Sequence, residues 1–456
     1  MEKLISMQCP FTWFFDDETP CRALKFRSPN EDELPLMQLM RNIMQRYVES
    51  ILGSTLEEGE KILDATPNAI ECDDYLTALE ISYTDEQNFS HGVIRHIVQA
   101  TYAFVFLRAR MIAELEEILP RIQKVDMSNA IVKSTLFGCK AICWSTHAQD
   151  NLVEAQRLIR GAIDLNHRCH LWHFVLGRIL RNQRRDFDYE DTGNEEVHTF
   201  EEAYSLSKCP TYGCFLAQAY RERNFDKVRA LEIYEKLFRQ EPTSTMLLLR
   251  LALGFMNLGE VEKGKDCLDK VIDPGEKMSM YLHYRGIYHF KKEQYEEAAK
   301  YFEDAARYDN IGADYQYIEC KLKIDENFKK EVSKYLLNMT KKYRDFPKKH
   351  MQGILLNLAI SYWKNDKNLE DSLRYLLQAL EIDPRSKIFT EYKSLKIGVN
   401  LGDKNIFRKV QREFLPRIYE KYANRKYDCP EILTMANTLR NKYCADYERS
   451  ISSNEN

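Results

Sequence analysis

Between Met278 and Asn310 the chain reads MSMYLHYRGIYHFKKEQYEEAAKYFEDAARYDN. Gly286, His289, Ala298, Phe302 and Ala305 alternate small and aromatic at the spacing of a tetratricopeptide repeat. Two helices that cross closely need small side chains at the crossing, and Gly286 and Ala298 supply them. Phe302 and Tyr288 are expected to fill the groove against the next hairpin. One hairpin cannot bury its own apolar face, so neighbours must stack on it. The predicted fold class is therefore all-α, a tetratricopeptide-repeat superhelical solenoid of helical hairpins.

Three further segments hold the pattern. Gln352–Pro384 does so through Ala359, Tyr362, Leu376 and Ala379, with one residue added in its turn and Pro384 closing the second helix. Thr211–Pro242 carries Ala217, Tyr220, Ala230 and Tyr234, and Thr243–Pro274 carries Ala252, Phe255, Gly264 and Leu268. Upstream, Asn129–Asn166 and Ser90–Lys124 read as weaker hairpins, and Leu34–Thr66 has helical periodicity without the signature. The expected organisation is an N-terminal segment 1–33, N-terminal helical repeats 34–209 with an acidic insertion near 186–202, central repeats 210–390, divergent C-terminal helices 391–450 and a disordered tail 451–456.

Composition agrees with long helices and short turns, because 456 residues contain only 13 prolines and 17 glycines. The 12 cysteines form no secreted-domain framework, and no apolar run approaches a membrane span. A reduced cytoplasmic setting and no membrane partner are expected. Cys139 and Cys143 lie one helical turn apart, but no second pair completes a zinc site, so buried packing thiols are the reading. His167, His170 and His173 read as solvated or capping residues at a helix start. With no phosphate-binding glycine loop and no nucleophile in a recognisable setting, no catalytic residue, metal or cofactor is expected.

The net charge of -4 demands no polyanionic partner, so local distribution carries the argument. Between Asn151 and Arg185 seven arginines face only Glu154 and Asp164, and the acidic stretch follows directly. Arg178, Arg181 and Arg185 recur at i, i+3 and i+7 and so share a helix face. Arg221 and Arg223, beside Tyr220, continue the positive character. The first helix of each hairpin lines the concave surface of such a solenoid, where arginine forks bind phosphate and stack on bases. Arg184 and Arg185 have an alternative, which is pairing with the adjacent acids.

The chain resembles the interferon-induced proteins with tetratricopeptide repeats. Met7–Trp13 (MQCPFTW) is similar to that family's N-terminal Leu-x-Cys-His-Phe-Thr-Trp, and Ala219–Thr245 resembles its central Tyr-Arg-Arg helix, Lys-Ala-Leu-Glu helix and Thr-Pro-Thr-Ser turn. The resemblance implies a non-enzymatic, cytosolic antiviral effector of innate immunity that holds single-stranded RNA, with 5′-end recognition, in a basic central tunnel. It also implies protein partners, including a homo- or hetero-oligomer of related members. Carried over, Arg221 matches a basic tunnel residue, Phe215 an aromatic one, and Arg181 lies one position from another arginine. Cys214 stands where RNA-binding relatives have arginine, and Leu249 replaces a polar residue with Arg250 beside it. The tunnel lysine falls near Thr146 or His147, with Lys140 two turns earlier. The RNA-binding set is thus Lys140, Arg178, Arg181, Phe215, Tyr220, Arg221 and Arg250. The competing reading is a protein–protein scaffold that does not bind RNA directly.

Overall fold

The computed structural model describes residues 90–454, apart from 109, 146–150, 187–193, 223–225, 347, 393–396 and 423–429, together with Met37 and Met40. The N-terminal motif at 7–13, the loop containing Gly193, Thr146, His147 and Arg223 lie outside the described residues, as does all of Leu34–Thr66 except those two methionines. No strand occurs among the described residues. The chain divides into two compact units, one ending at Pro242 and the other beginning at Thr243.

The first unit runs through α1 (His91–Arg108), α2 (Ile112–Ile118), α3 (Ala130–Ser145), α4 (Asn151–Leu165), α5 (His170–Asp186), α6 (Glu195–Ser207), α7 (Pro210–Glu222) and α8 (Lys227–Phe238). Consecutive pairs form hairpins, α3 with α4, α5 with α6 and α7 with α8, and each hairpin packs on the next. Close approach is built from glycine facing a large ring. A methyl group on Gly177 would come within 2.6 Å of the Phe200 ring across the α5–α6 hairpin. One on Gly138 would come within 2.5 Å of Trp172, whose Nε1 donates to Ser134 Oγ at 3.1 Å and so ties α5 to α3. Trp172, Phe174, Phe200 and Phe215 are buried at the centre of this unit.

The second unit opens with α9 (Thr245–Asn257), α10 (Val261–Asp269), α11 (Met278–Lys291) and α12 (Tyr295–Ala306). It continues through α13 (Ile311–Ile324), a 3-10 turn at Glu326–Lys330, α14 (Val332–Lys342), α15 (Lys348–Ser361) and α16 (Leu369–Ile382). Asparagine or serine caps several of these helices: Ser244 accepts from Leu247 N, Asn310 from Ala313 N and Asn368 from Asp371 N. The residue added to the Gln352–Pro384 repeat is absorbed as a π-turn, Tyr362–Asp366, between α15 and α16. Two more π-turns interrupt the C-terminal helices. Val410–Phe414 joins α17 (Ile406–Lys409) to α18 (Leu415–Tyr422), and Leu439–Cys444 joins α19 (Pro430–Thr438) to α20 (Ala445–Asn454).

Two sequence expectations need correction. Phe302 does meet the next hairpin, sharing a core cluster with Ala313 and Cys320 of α13, and it also fills its own, where a methyl on Gly286 would lie 2.5 Å from its ring and His283 packs on its edge. Tyr288, by contrast, is half-buried against His289. The tail expected to be disordered from 451 is helical to Asn454, because extending an anchored helix adds one hydrogen bond per residue fixed.

Candidate nucleic-acid interface

Helices α5 and α7 are the first helices of adjacent hairpins, and their C-terminal turns carry the arginines together. Arg184 donates from Nε and Nη2 to the two oxygens of Glu196 at 2.7 and 2.9 Å, and its Nη2 also reaches Glu222 at 3.1 Å. Glu196, on α6, is fully buried, so this fork fixes the Arg184 side chain. Arg185 Nε donates to Glu222 Oε2 at 2.8 Å, and a second bond joins Arg185 to Glu222 Oε1. Arg221 Nη2 reaches Glu222 Oε1 at 3.1 Å, and Gln218 Nε2 donates to the same oxygen at 2.7 Å. Arg184 and Arg185 therefore do pair with acids, but one of those acids comes from α7 rather than from the neighbouring acidic stretch.

Burial alone would raise the carboxyl pKa of Glu222. The surrounding guanidiniums, Arg185 first and then Arg184 and Arg181, overcome it and bring the value down to about 2. Arg181, Arg184, Arg185 and Arg221 thus surround one carboxylate, with Glu196 occupied by Arg184. Among the described residues, four guanidiniums gather at these two carboxylates.

Arg178 and Arg181 extend this cluster along α5. The Arg181 guanidinium lies 5.2 Å from the Phe215 ring centroid, and its Nη2 donates to Gln218 Oε1 at 3.3 Å. Arg178 lies 6.0 Å from the centroids of both Phe215 and Phe174, with Nη1 3.5 Å from Met37 Sδ. Phe215 is only 2% exposed and stands edge-on to Phe174 at 5.1 Å. Its ring is a platform under two arginines at cation–π distance.

The other expected residues are placed elsewhere. Tyr220 is 1% exposed, donates its hydroxyl to Glu201 on α6 and accepts from Arg229 Nη1 of α8 at 3.0 Å. It braces the second helices and does not join the arginine cluster. Lys140 is enclosed within α3 at 1% exposure. Arg250 lies half-buried on α9 in the second unit, beside the buried Leu249. Cys214 is buried on α7 near Tyr234, whose hydroxyl is held neutral by burial first of all.

Sequence reasoning missed Glu222, Glu196 and Gln218. Gln218 and Glu222 stand four residues apart on one helix, and that spacing was the available signal for a Gln–Glu contact. Nothing local announces the Arg185–Glu222 pair, whose members are 37 residues apart. The paired sulfurs and the histidine cluster resolve into packing. Cys139 and Cys143 are buried, and burial above all pushes the Cys139 thiol far up. His170 Nδ1 meets the Tyr212 hydroxyl at 2.8 Å, and His173 Nε2 meets the His167 carbonyl at 2.8 Å. Among the described residues no three His, Cys, Asp or Glu side chains are grouped to hold a metal ion, and no helix is long and apolar enough to cross a membrane.

Structures of human IFIT1 match the chain over its whole length. The IFIT1 dimer with PPP-AAAA is 13% identical with a TM-score of 0.56, covering 100% of this chain and 99% of the other. The dimer with m7Gppp-AAAA is 13% identical with a TM-score of 0.59 over the same shares. A monomeric IFIT1 mutant with Gppp-AAAA is 13% identical with a TM-score of 0.55, covering 96% of this chain and 98% of the other. The chain is similar to human IFIT1 in fold. At this identity the likeness is one of fold alone. No family model matches the sequence, and no curated protein matches it.

Proposed function

We propose that this protein is a non-enzymatic RNA-binding effector of antiviral innate immunity that sequesters single-stranded RNA. The observation that carries this reading is the arginine cluster of α5 and α7, in which four guanidiniums gather at two carboxylates among the described residues, with Arg178 beside them on the same helix face. The full-length likeness to IFIT1, solved with triphosphate and capped oligonucleotides, supports it. In this reading Arg178 and Arg181, spread over the Phe215 ring, contact phosphates and stack on unpaired bases. Arg221 contributes charge through the Glu222 cluster. Arg184 and Arg185 hold the cluster together and are not ligand contacts.

The test compares short RNA carrying 5′-triphosphate, 5′-monophosphate or a cap, at fixed salt. The triphosphate form is expected to bind tightest, and Arg178→Glu with Arg181→Glu to weaken it at least about tenfold. Equal weak binding of all three, unchanged in the double variant, sinks the reading. Two observations favour a protein–protein scaffold instead: Glu196 and Glu222 already neutralise Arg184 and Arg185, and Cys214 and Leu249 are buried and apolar. Partners retained on the protein after RNase treatment, including copies of the chain or its relatives, are that reading's outcome.

A further inference from the structure

The second unit holds a cleft with a basic lining of its own. It lies at the turn edge of the stacked hairpins, where the 3-10 turn Glu326–Lys330 after α13 meets the π-turn after α15 and the segment Gly398–Asn400. Its volume is about 570 Å³, which is the size of a small-ligand site. Lys329, Lys330, Lys364 and Lys367 line it, with one acid, Glu326, among the described lining residues.

Among the described residues, two of these lysines are held by carboxylates and two are not. Lys329 Nζ bonds Glu326 Oε1 at 2.6 Å, and its Cε lies 3.6 Å from where a Cβ on Gly398 would stand. Lys364 Nζ is 4.0 Å from the Trp363 ring centroid and 2.9 Å from Glu413 Oε2, so a buried ring and a carboxylate fix its direction. Lys367 donates to the Lys364 carbonyl at 2.5 Å and forms no ion pair among the described residues. Lys330 is exposed and forms no ion pair among the described residues. Asn327 and Asn365 add amide donors to the same lining. Partly fixed ammonium groups around a cleft are a phosphate-binding arrangement, since lysine meets phosphate as a compact point charge. With Lys329 and Lys364 each held by a carboxylate, Lys330 and Lys367 are left to meet a ligand that carries several negative charges within a few ångströms.

We propose that this cleft binds a ligand with two or more adjacent phosphate groups. A free polyphosphate or nucleotide and the backbone of an RNA strand share that chemistry. None of its lining residues is one of the α5–α7 arginines, so the proposal survives if they prove not to bind RNA.

Sodium tripolyphosphate is titrated by calorimetry into the full-length Arg178→Glu, Arg181→Glu protein, which removes the arginine face as a competing site. Saturable binding of one equivalent is expected, weakening as salt rises. Adding Lys330→Glu and Lys367→Glu is expected to reduce affinity at least tenfold, and Lys330→Gln with Lys367→Gln to reduce it several-fold, with melting temperatures unchanged because both side chains are exposed. A parallel titration with a 5′-hydroxyl oligoribonucleotide separates the sources. Loss of oligonucleotide affinity with the lysine changes assigns the site to strand phosphates, and loss of tripolyphosphate affinity alone assigns it to a free ligand. Absence of saturable tripolyphosphate binding, or binding indifferent to both lysine pairs, overturns the proposal.

Discussion

Glu222 has three guanidiniums bonded to it, from Arg184, Arg185 and Arg221, on a carboxylate that is only 11% exposed. Because its folded pKa of about 2 lies below the ordinary 4.5, its contribution to stability is complete above pH 4.5 and is lost as the pH falls from 4.5 towards 2. Glu222→Gln is therefore expected to cost about 3 kcal/mol at neutral pH, since it leaves clustered arginines without their shared counter-ion. Urea denaturation checks this, and the gap between wild type and variant should close as the pH is taken down to about 2. Equal gaps at pH 7 and pH 2 would contradict it. At this scale the sequence exposed only part of the site. Helical spacing alone places Arg178 and Arg181 on one face, and the structure brings both onto Phe215. The burial of Tyr220 against Glu201 and Arg229 was not legible, because a tyrosine beside an arginine reads the same whether its ring lies inward or outward.

Helical hairpins were the most legible part of the chain, since each one needs a small residue at its crossing and the sequence displays those residues. Gly286 tests this directly. Gly286→Ala places a methyl 2.5 Å from the Phe302 ring and is expected to destabilise by about 1–3 kcal/mol. The contrasting change is Gly353→Ala on α15, where a methyl would find only Ile388 Cδ1 at 3.8 Å. That variant is expected to be neutral, or stabilised by up to about 1 kcal/mol through helix propensity. Thermal melting of the two proteins side by side checks the pair, and a destabilised Gly353→Ala would show that propensity and space do not govern this helix. Element boundaries were less legible where the backbone departs from α-geometry. The added residue in Gln352–Pro384 is visible as a length difference, yet its accommodation as a π-turn depends on packing the sequence does not spell out. Trp363, in that turn, is 3% exposed and stands 5.0 Å from the Phe414 ring.

Across the whole molecule, binding of a single-stranded polyanion by clustered arginines has a measurable signature. The logarithm of RNA affinity should fall linearly with the logarithm of salt, and each phosphate-contacting arginine removed should lower the slope by about 0.7. Arg178→Ala and Arg181→Ala are each expected to do so, whereas Arg185→Ala should change stability more than the slope because Glu222 already holds its charge. A salt slope insensitive to Arg178 and Arg181 contradicts their role. Over the full chain the sequence by itself determined the fold class, because hairpin packing is local and periodic and writes its small and aromatic residues at fixed spacings. It also determined which helix carries the arginines. Only the tertiary structure decided which carboxylates those charges meet. The neutralising carboxylates arrive from α6 and α7, and the lysines of the turn-edge cleft come from segments tens of residues apart. Charge compensation depends on distance in space, and sequence spacing reports that distance only within a single helix.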